Sequence, residues 1–459
     1  MAELATLGPR FAEILAEYQV PGAAVGVRHH GEVTVFGFGV QDIATETPVT
    51  SDTLFQIGSL TKTWTALAFL QLVDEGDVDL DAPVRTYLPG FRVADPDVSA
   101  RVTARHLLNH TSGIEEDFGD PGDGDDVYAR MIQAIADAPQ VSALGSVHGY
   151  SAALGYAILA RIMEVVDARP WDAVMADRVF GPMGLSATNA RPVPIESGHA
   201  ARGHLVPSLD ARPLRTPIDD LPRAYAPSGG ITSTAQETLA LAHVLLRGGV
   251  APNGHRILSA ERIREMTASR VPVPDPHLLG QEWGLGLVIS EWDGQTVYGH
   301  DGSTIGQNAR LRILPEHDLA LVLLSNGDPR DSLYRRVFDV VLVELDAGRM
   351  PSPPQPDPDL VLEPDRYVGV YERPGARFEV TAEGGRLRLS LDVDPFQASI
   401  MGMPDRVAHD LLPISETQFL LPPAYGLEEA QTAALIDFRD GRASYLHTNA
   451  RLHPRLASS

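Results

Sequence analysis

The apolar positions change period several times along the chain. Between residues 8 and 19, Phe11, Ile14, Leu15 and Tyr18 recur at helical spacing and predict an amphipathic helix. Residues 22–27 and 33–39 read as two paired strands around the turn His29-His30-Gly31. An apolar helical run then continues from Ser59 over 63–75 and stops at Gly76. Residues 102–181 keep a helical pattern broken by long loops, with an apolar helix over 154–166. Strand character returns over 305–326, where residues 319–324 form an unbroken apolar run suited to a buried strand. Strands on both sides of a helical middle predict an α+β fold, one antiparallel sheet flanked by helices.

Pro351-Ser352-Pro353-Pro354-Gln355-Pro356-Asp357-Pro358 interrupts this pattern. Such proline density continues neither a helix nor a central strand and makes a stiff spacer. Beyond it, short alternating segments recur at 367–371, 377–380, 387–391, 418–421, 434–438 and 443–446. Their turn spacing predicts a small antiparallel barrel or sandwich of about a hundred residues. The division expected is a catalytic-sized unit at 1–350, a linker at 351–359 and a β-barrel domain at 360–459.

Composition narrows the function. The chain has 459 residues, 44% of them hydrophobic, which suits two folded domains. Its 61 acidic residues outweigh 37 basic ones, for a formal net charge of -24. That balance disfavours nucleic acid and anionic membrane as partners. No cysteine is present, so disulfides, thiolate nucleophiles and thiolate metal sites are excluded. The first residues lack a basic region followed by an apolar one, and no run of eighteen apolar residues occurs. A cytoplasmic location is expected.

Ser59 and Lys62 lie three residues apart, on one face of the helix they begin. A neutral lysine there can take the serine proton, and the backbone N–H of Ser59 at the helix start can face an oxyanion. Alone, the pair is a weak signal and fits a serine-initiated helix with a surface lysine better. Tyr150, just before the helix at 154–166, reads either as a proton shuttle with a phenol pKa lowered by a nearby lysine or as a packed helix-start tyrosine. His300-Asp301-Gly302-Ser303 reads as a strand edge open to a substrate backbone, with the Ser303 N–H as a second oxyanion donor, or as a tight turn with a surface histidine. The acidic stretch 115–126 lacks calcium-loop spacing and reads as a mobile loop rimming a cleft. His29-His30 has no accompanying metal ligands, and no phosphate-binding glycine motif occurs. No cofactor and no metal are expected.

The order Ser59-x-x-Lys62, Tyr150, His300-x-Gly302 resembles the serine β-lactamase and penicillin-binding-protein superfamily, nearest its class C β-lactamase-like branch. Further stretches are similar to that branch: Leu80-Asp81-Ala82-Pro83-Val84, Leu107-Leu108-Asn109-His110-Thr111-Ser112-Gly113, Pro182-Met183-Gly184-Leu185, residues 228–234 and Trp283-Gly284-Leu285-Gly286. The resemblance spans roughly residues 8–345. It implies a β-lactamase/transpeptidase-like sheet, Ser59 as acylated nucleophile, Lys62 as base or relay, Tyr150 as second acid/base, and His300 where β-lactamases usually carry lysine. By pattern, the small β domain resembles lipocalin-like barrels appended to D-aminopeptidases and to penicillin-binding-protein-type peptide cyclases.

Two departures from the family shape the expected chemistry. His300 replaces the third-motif lysine, which lowers the expectation of efficient β-lactam hydrolysis and predicts a pH dependence near neutrality. Ala152 stands where the pattern usually has asparagine, so esters or unusual acyl donors gain over amides. Ala152, Gly302, Ser303 and Arg451 are the expected substrate contacts, Arg451 recognising a carboxylate or simply lying exposed on an edge strand. The expected activity is a serine hydrolase or acyltransferase acting on a small-molecule ester or peptide-like amide, including one with a D-residue. A peptide cyclase and a catalytically inactive sensor are the alternatives, and oligomeric state is not legible.

Overall fold

The structure, a computed structural model, describes residues 4, 6–116, 121–191, 198–327, 330–392, 404, 406–423 and 429–457. Its first sheet has eight antiparallel strands. They are β1 (Gly22–His29), β2 (Glu32–Gly39), β3 (Val271–Pro272), β4 (Glu282–Trp283), β5 (Val288–Trp292), β6 (Gln295–Ser303), β7 (Asn308–Leu314) and β8 (Leu319–Ser325). The spatial order is β2-β1-β8-β7-β6-β5-β4-β3. The N-terminal hairpin therefore docks on the last strand, with Val25 opposite Leu323.

Every residue of β8 is buried, because both sheet faces are covered. Helices α1 (Gly8–Glu17) and α5 (Asp331–Glu344) cover one face. There Phe11, Ile14, Val337 and Phe338 pack with Val25, Val27 and Leu321. The other face carries α2 (Thr61–Glu75), α3 (Leu154–Asp167) and α4 (Ala235–Leu246). Residues 61–72 of α2 are all buried, so this helix is apolar all round rather than amphipathic. Gly76 ends it in a left-handed conformation. The helix and strand expectations over 8–75, 154–166 and 319–324 match these elements.

The second sheet is a meander of eight antiparallel strands in sequence order. They are β9 (Gly369–Arg373), β10 (Ala376–Glu383), β11 (Arg386–Asp392), β12 (Arg406–Pro413), β13 (Gln418–Leu421), β14 (Gln431–Arg439), β15 (Arg442–Thr448) and β16 (Arg451–Pro454). A bridge between Tyr371 and Arg455 brings its two ends together, so the barrel is nearly closed. Tyr371, Phe378, Leu389, Phe419, Leu435 and Leu446 fill it. Strand β12 was not legible from alternation, since His409 and Asp410 interrupt its apolar residues. No helix among the described residues is long and apolar enough to cross a membrane.

Candidate active site

The central helix carries the pair singled out in the sequence. A short 3-10 turn, Gly58–Leu60, leads into α2 and places Ser59 one turn before Lys62. Lys62 is 0% exposed. Its Nζ donates to Ser59 Oγ at 3.2 Å, to the Ala152 carbonyl at 2.8 Å and to the Ser228 carbonyl at 3.0 Å. Burial brings its pKa down to about 7, with Glu116 pushing up and Arg451 pushing down. A neutral amine has two N–H donors and one lone pair. In that state the two carbonyls take the donors and the lone pair faces the Ser59 hydroxyl.

Tyr150 precedes α3, and Lys62 Nζ lies 4.9 Å from its ring centroid. Burial raises the phenol pKa, while a hydrogen bond to Ser59 offsets part of the rise. This corrects the expectation of a lowered phenol: desolvation outweighs the Ser59 hydrogen bond and the Arg451 charge, and Tyr150 stays protonated.

His300 sits within β6, paired with Leu311, rather than in a turn. It is 2% exposed, and its Nδ1 donates to the Asp301 carbonyl at 2.6 Å. The Trp283 ring meets it edge-on at 5.2 Å. Burial, reinforced by Lys62, lowers its pKa to about 3. The expected titration near neutrality is therefore corrected: His300 is a neutral ring at the pH where Lys62 changes charge.

Strand β6 ends on the Ser59 turn, backbone to backbone. A Cβ on Gly302 would fall 1.8 Å from the Ile57 carbonyl oxygen and 3.0 Å from Ser59 N. A Cβ on Gly58 (φ +51°) would fall 2.5 Å from Ser303 N. Glycine is required at both positions. The contact brings the Ser59 and Ser303 main chains together, and Ser303 Oγ is held by Asn308 at 2.8 Å.

Several groups at this centre were not singled out by sequence reasoning. His110 Nδ1 accepts the Ser151 N–H at 3.0 Å, and its ring lies 4.6 Å from that of Tyr150. Trp283 donates to the Leu108 carbonyl at 3.2 Å. Both fall in stretches that read only as framework. Glu116 lies in the acidic stretch expected to be a mobile rim. Instead Glu115 is buried, and Glu116 accepts the N–H groups of Ala153 and Leu154 at the start of α3, at 2.9 and 3.2 Å. Residues 117–120 of that stretch lie outside the described residues.

Arg451 finds its carboxylate inside the chain: Nη1 donates to Glu116 at 2.7 Å and also to the Tyr150 carbonyl. Ala152 offers its main-chain oxygen to Lys62, while its methyl side chain supplies no polar group to the cleft. Beside the Ser59 turn a cavity of about 720 Å³ is lined by Gln56, Tyr128, Trp171, Tyr225, Gly229 and Gly230. Among the described residues no three His, Asp or Glu side chains are grouped to hold a metal ion.

Residues 9–344 match the family model described as Beta-lactamase. The chain is 39% identical over 373 residues to penicillin-binding protein 4 of Amycolatopsis lactamdurans, covering 80% of this chain and 97% of that one. It is 30% identical over 352 residues to the esterase EstB of Burkholderia gladioli, covering 64% and 86%. The crystal structure of SurE superposes with a TM-score of 0.81 at 27% identity, over 99% of both chains, and SurE has also been solved with D-Leu. The match over three quarters of the chain, together with these relatives, places it in the Beta-lactamase family, as a serine hydrolase.

Proposed function

We propose that the enzyme transfers acyl groups through a Ser59 ester, acting on a small-molecule ester or a peptide-like amide. The observation that carries this reading is the buried Lys62 amine, 3.2 Å from Ser59 Oγ and poised near neutrality. Neutral Lys62 takes the Ser59 proton as the oxygen attacks the substrate carbonyl. The N–H groups of Ser59 and Ser303 receive the oxyanion. Tyr150, kept protonated by burial, gives its proton to the leaving group and is resupplied by the Lys62 ammonium. Water or an amine then enters along the reverse proton path and frees the acyl group. The cavity at Tyr128, Trp171 and Tyr225, lined also by Asp172 and Arg223, is the place for the acyl side chain.

A second reading has the acyl group leave to the peptide's own amine, closing a ring. The likeness to SurE runs through the barrel as well as the catalytic sheet, and a structure of SurE with D-Leu supports a D-residue in the substrate.

A fluorophosphonate probe followed by peptide mass mapping tests the common step, with covalent label expected on Ser59. An unlabelled Ser59 in active protein overturns the mechanism. p-Nitrophenyl esters, D-amino-acid amides, nitrocefin and a linear peptidyl thioester ending in a D-residue, assayed side by side, then separate hydrolysis from cyclisation.

A further inference from the structure

The barrel does more than sit beside the catalytic sheet. Its β15–β16 turn reaches the Tyr150 main chain on both sides. The Ala450 carbonyl accepts the Tyr150 N–H at 3.0 Å, and Arg451 Nη1 donates to the Tyr150 carbonyl. Leu452 packs on Gly149, where a Cβ would lie 3.0 Å from its side chain. Asn449 and Ala450 both hold left-handed backbone, φ 49° and 63°. Such conformations cost energy in non-glycine residues and persist where surrounding contacts enforce them. The strain sits at the tip that touches the catalytic tyrosine.

The same turn carries an ion pair across the two units. Arg451 meets Glu116 at 2.7 Å, and one residue earlier Arg373 meets Glu115 at 3.3 Å. Glu116 also accepts from the Ser151 hydroxyl and from the Ala153 and Leu154 N–H groups. One carboxylate thus ties together the Tyr150 segment, the start of α3 and the barrel.

We propose that Arg451 and Glu116 are positioning residues of the catalytic centre: the pair locks the Tyr150 segment, and its two opposed charges set the electrostatic field at the Lys62 amine. The proposal rests on Lys62 acting as the base. The groups facing Lys62 are Ser59, the Ala152 and Ser228 carbonyls, the rings of Tyr150 and Tyr156, His110, His300, Glu116 and Arg451. Burial keeps His110 and His300 neutral. Behind His300, Asp301 is matched by Arg312 at 2.5 and 3.0 Å. The charges left acting on Lys62 are Glu116, which favours the ammonium, and Arg451, which opposes it. Against the cost of burial, Arg451 and the Ser151 and Ala153 hydrogen bonds keep Glu116 ionised.

The experiment is kcat/KM for an ester against pH, in full-length wild type, Glu116→Gln, Arg451→Gln and the double variant, with Tm measured on each. Losing Arg451 moves the acid limb to higher pH, and losing Glu116 moves it lower, each by on the order of 0.5–1 unit. The double variant returns toward the wild-type midpoint. Arg451→Lys restores the midpoint even where its lost fork geometry lowers kcat. Single variants that lower kcat without moving the midpoint, or that move it in the same direction, overturn the proposal. A wild-type profile flat through neutrality overturns the base assignment of Lys62 instead, so the two failures are distinguishable.

Discussion

Lys62 donates to the main-chain carbonyl of Ala152 at 2.8 Å. Position 152 therefore meets Lys62 through its backbone, and this contact does not depend on its side chain. The family asparagine can return without disturbing the lysine's partner. Ala152→Asn is expected to raise activity on amides relative to esters by about fivefold, since one good hydrogen bond contributes about 1 kcal/mol. The check is the ratio of kcat/KM values for a matched D-amino-acid amide and ester. A ratio that stays flat shows that the side chain at 152 does not limit amide binding.

Ser59→Ala should lower turnover by on the order of 10³-fold or more with Tm nearly unchanged, because its hydroxyl is the proposed nucleophile and, among the described residues, no other serine or threonine hydroxyl bonds Lys62. Lys62→Ala should be nearly as severe in pre-steady-state acylation, since the unit fails together. Near-native acylation in Lys62→Ala removes lysine from the role of base.

With Lys62 as the proposed base, its pKa of about 7 should set the acid limb of the rate profile. Below that pH the amine is charged, and kcat/KM should fall about tenfold per unit. The sign for stability follows from the same residue. Its folded pKa lies below the ordinary 10.5, so between pH 7 and 10.5 the unfolded chain binds more protons than the folded one. This contribution to stability therefore rises with pH across that window, and below pH 7 the full cost of burying the charge applies. Lys62→Met should gain more Tm over wild type at pH 6 than at pH 10; an equal gain at both would contradict the assignment.

His300 is neutral across the working range, with a pKa of about 3. His300→Gln should leave the acid-limb midpoint in place, because it replaces one uncharged group by another. His300→Lys puts a second cation near Lys62 and should shift the midpoint to lower pH. Profiles that move together in both variants would show that the ring acts through packing against Trp283 rather than through charge.

The sequence made the local chemistry legible and left the long-range chemistry dark. Ser59 and Lys62 share a helix face, so a spacing of three residues suffices to read them. The buried strand over 319–324 is likewise a local apolar run. Glu116 and Arg451 are 335 residues apart, and no local pattern links them. The same holds for His110, whose ring supports the Ser151 N–H. The protonation states of Tyr150 and His300 were misread because both are set by burial, which depends on Trp283 and the barrel turn rather than on neighbours in sequence. The contacts of the barrel turn with the Tyr150 segment were not visible in the sequence.

The clamp on Tyr150 has a consequence in time. Its arginine lies 301 residues downstream of the tyrosine it holds. At about 5–20 residues per second, a ribosome needs about 15–60 s to cover that stretch. Through that interval the nascent Tyr150 segment has neither the Ala450 carbonyl nor the Arg451 guanidinium. Ser59 and Lys62 share one helix and need no such distant partner to meet. A chain that stops before residue 450 therefore lacks both contacts on the Tyr150 main chain.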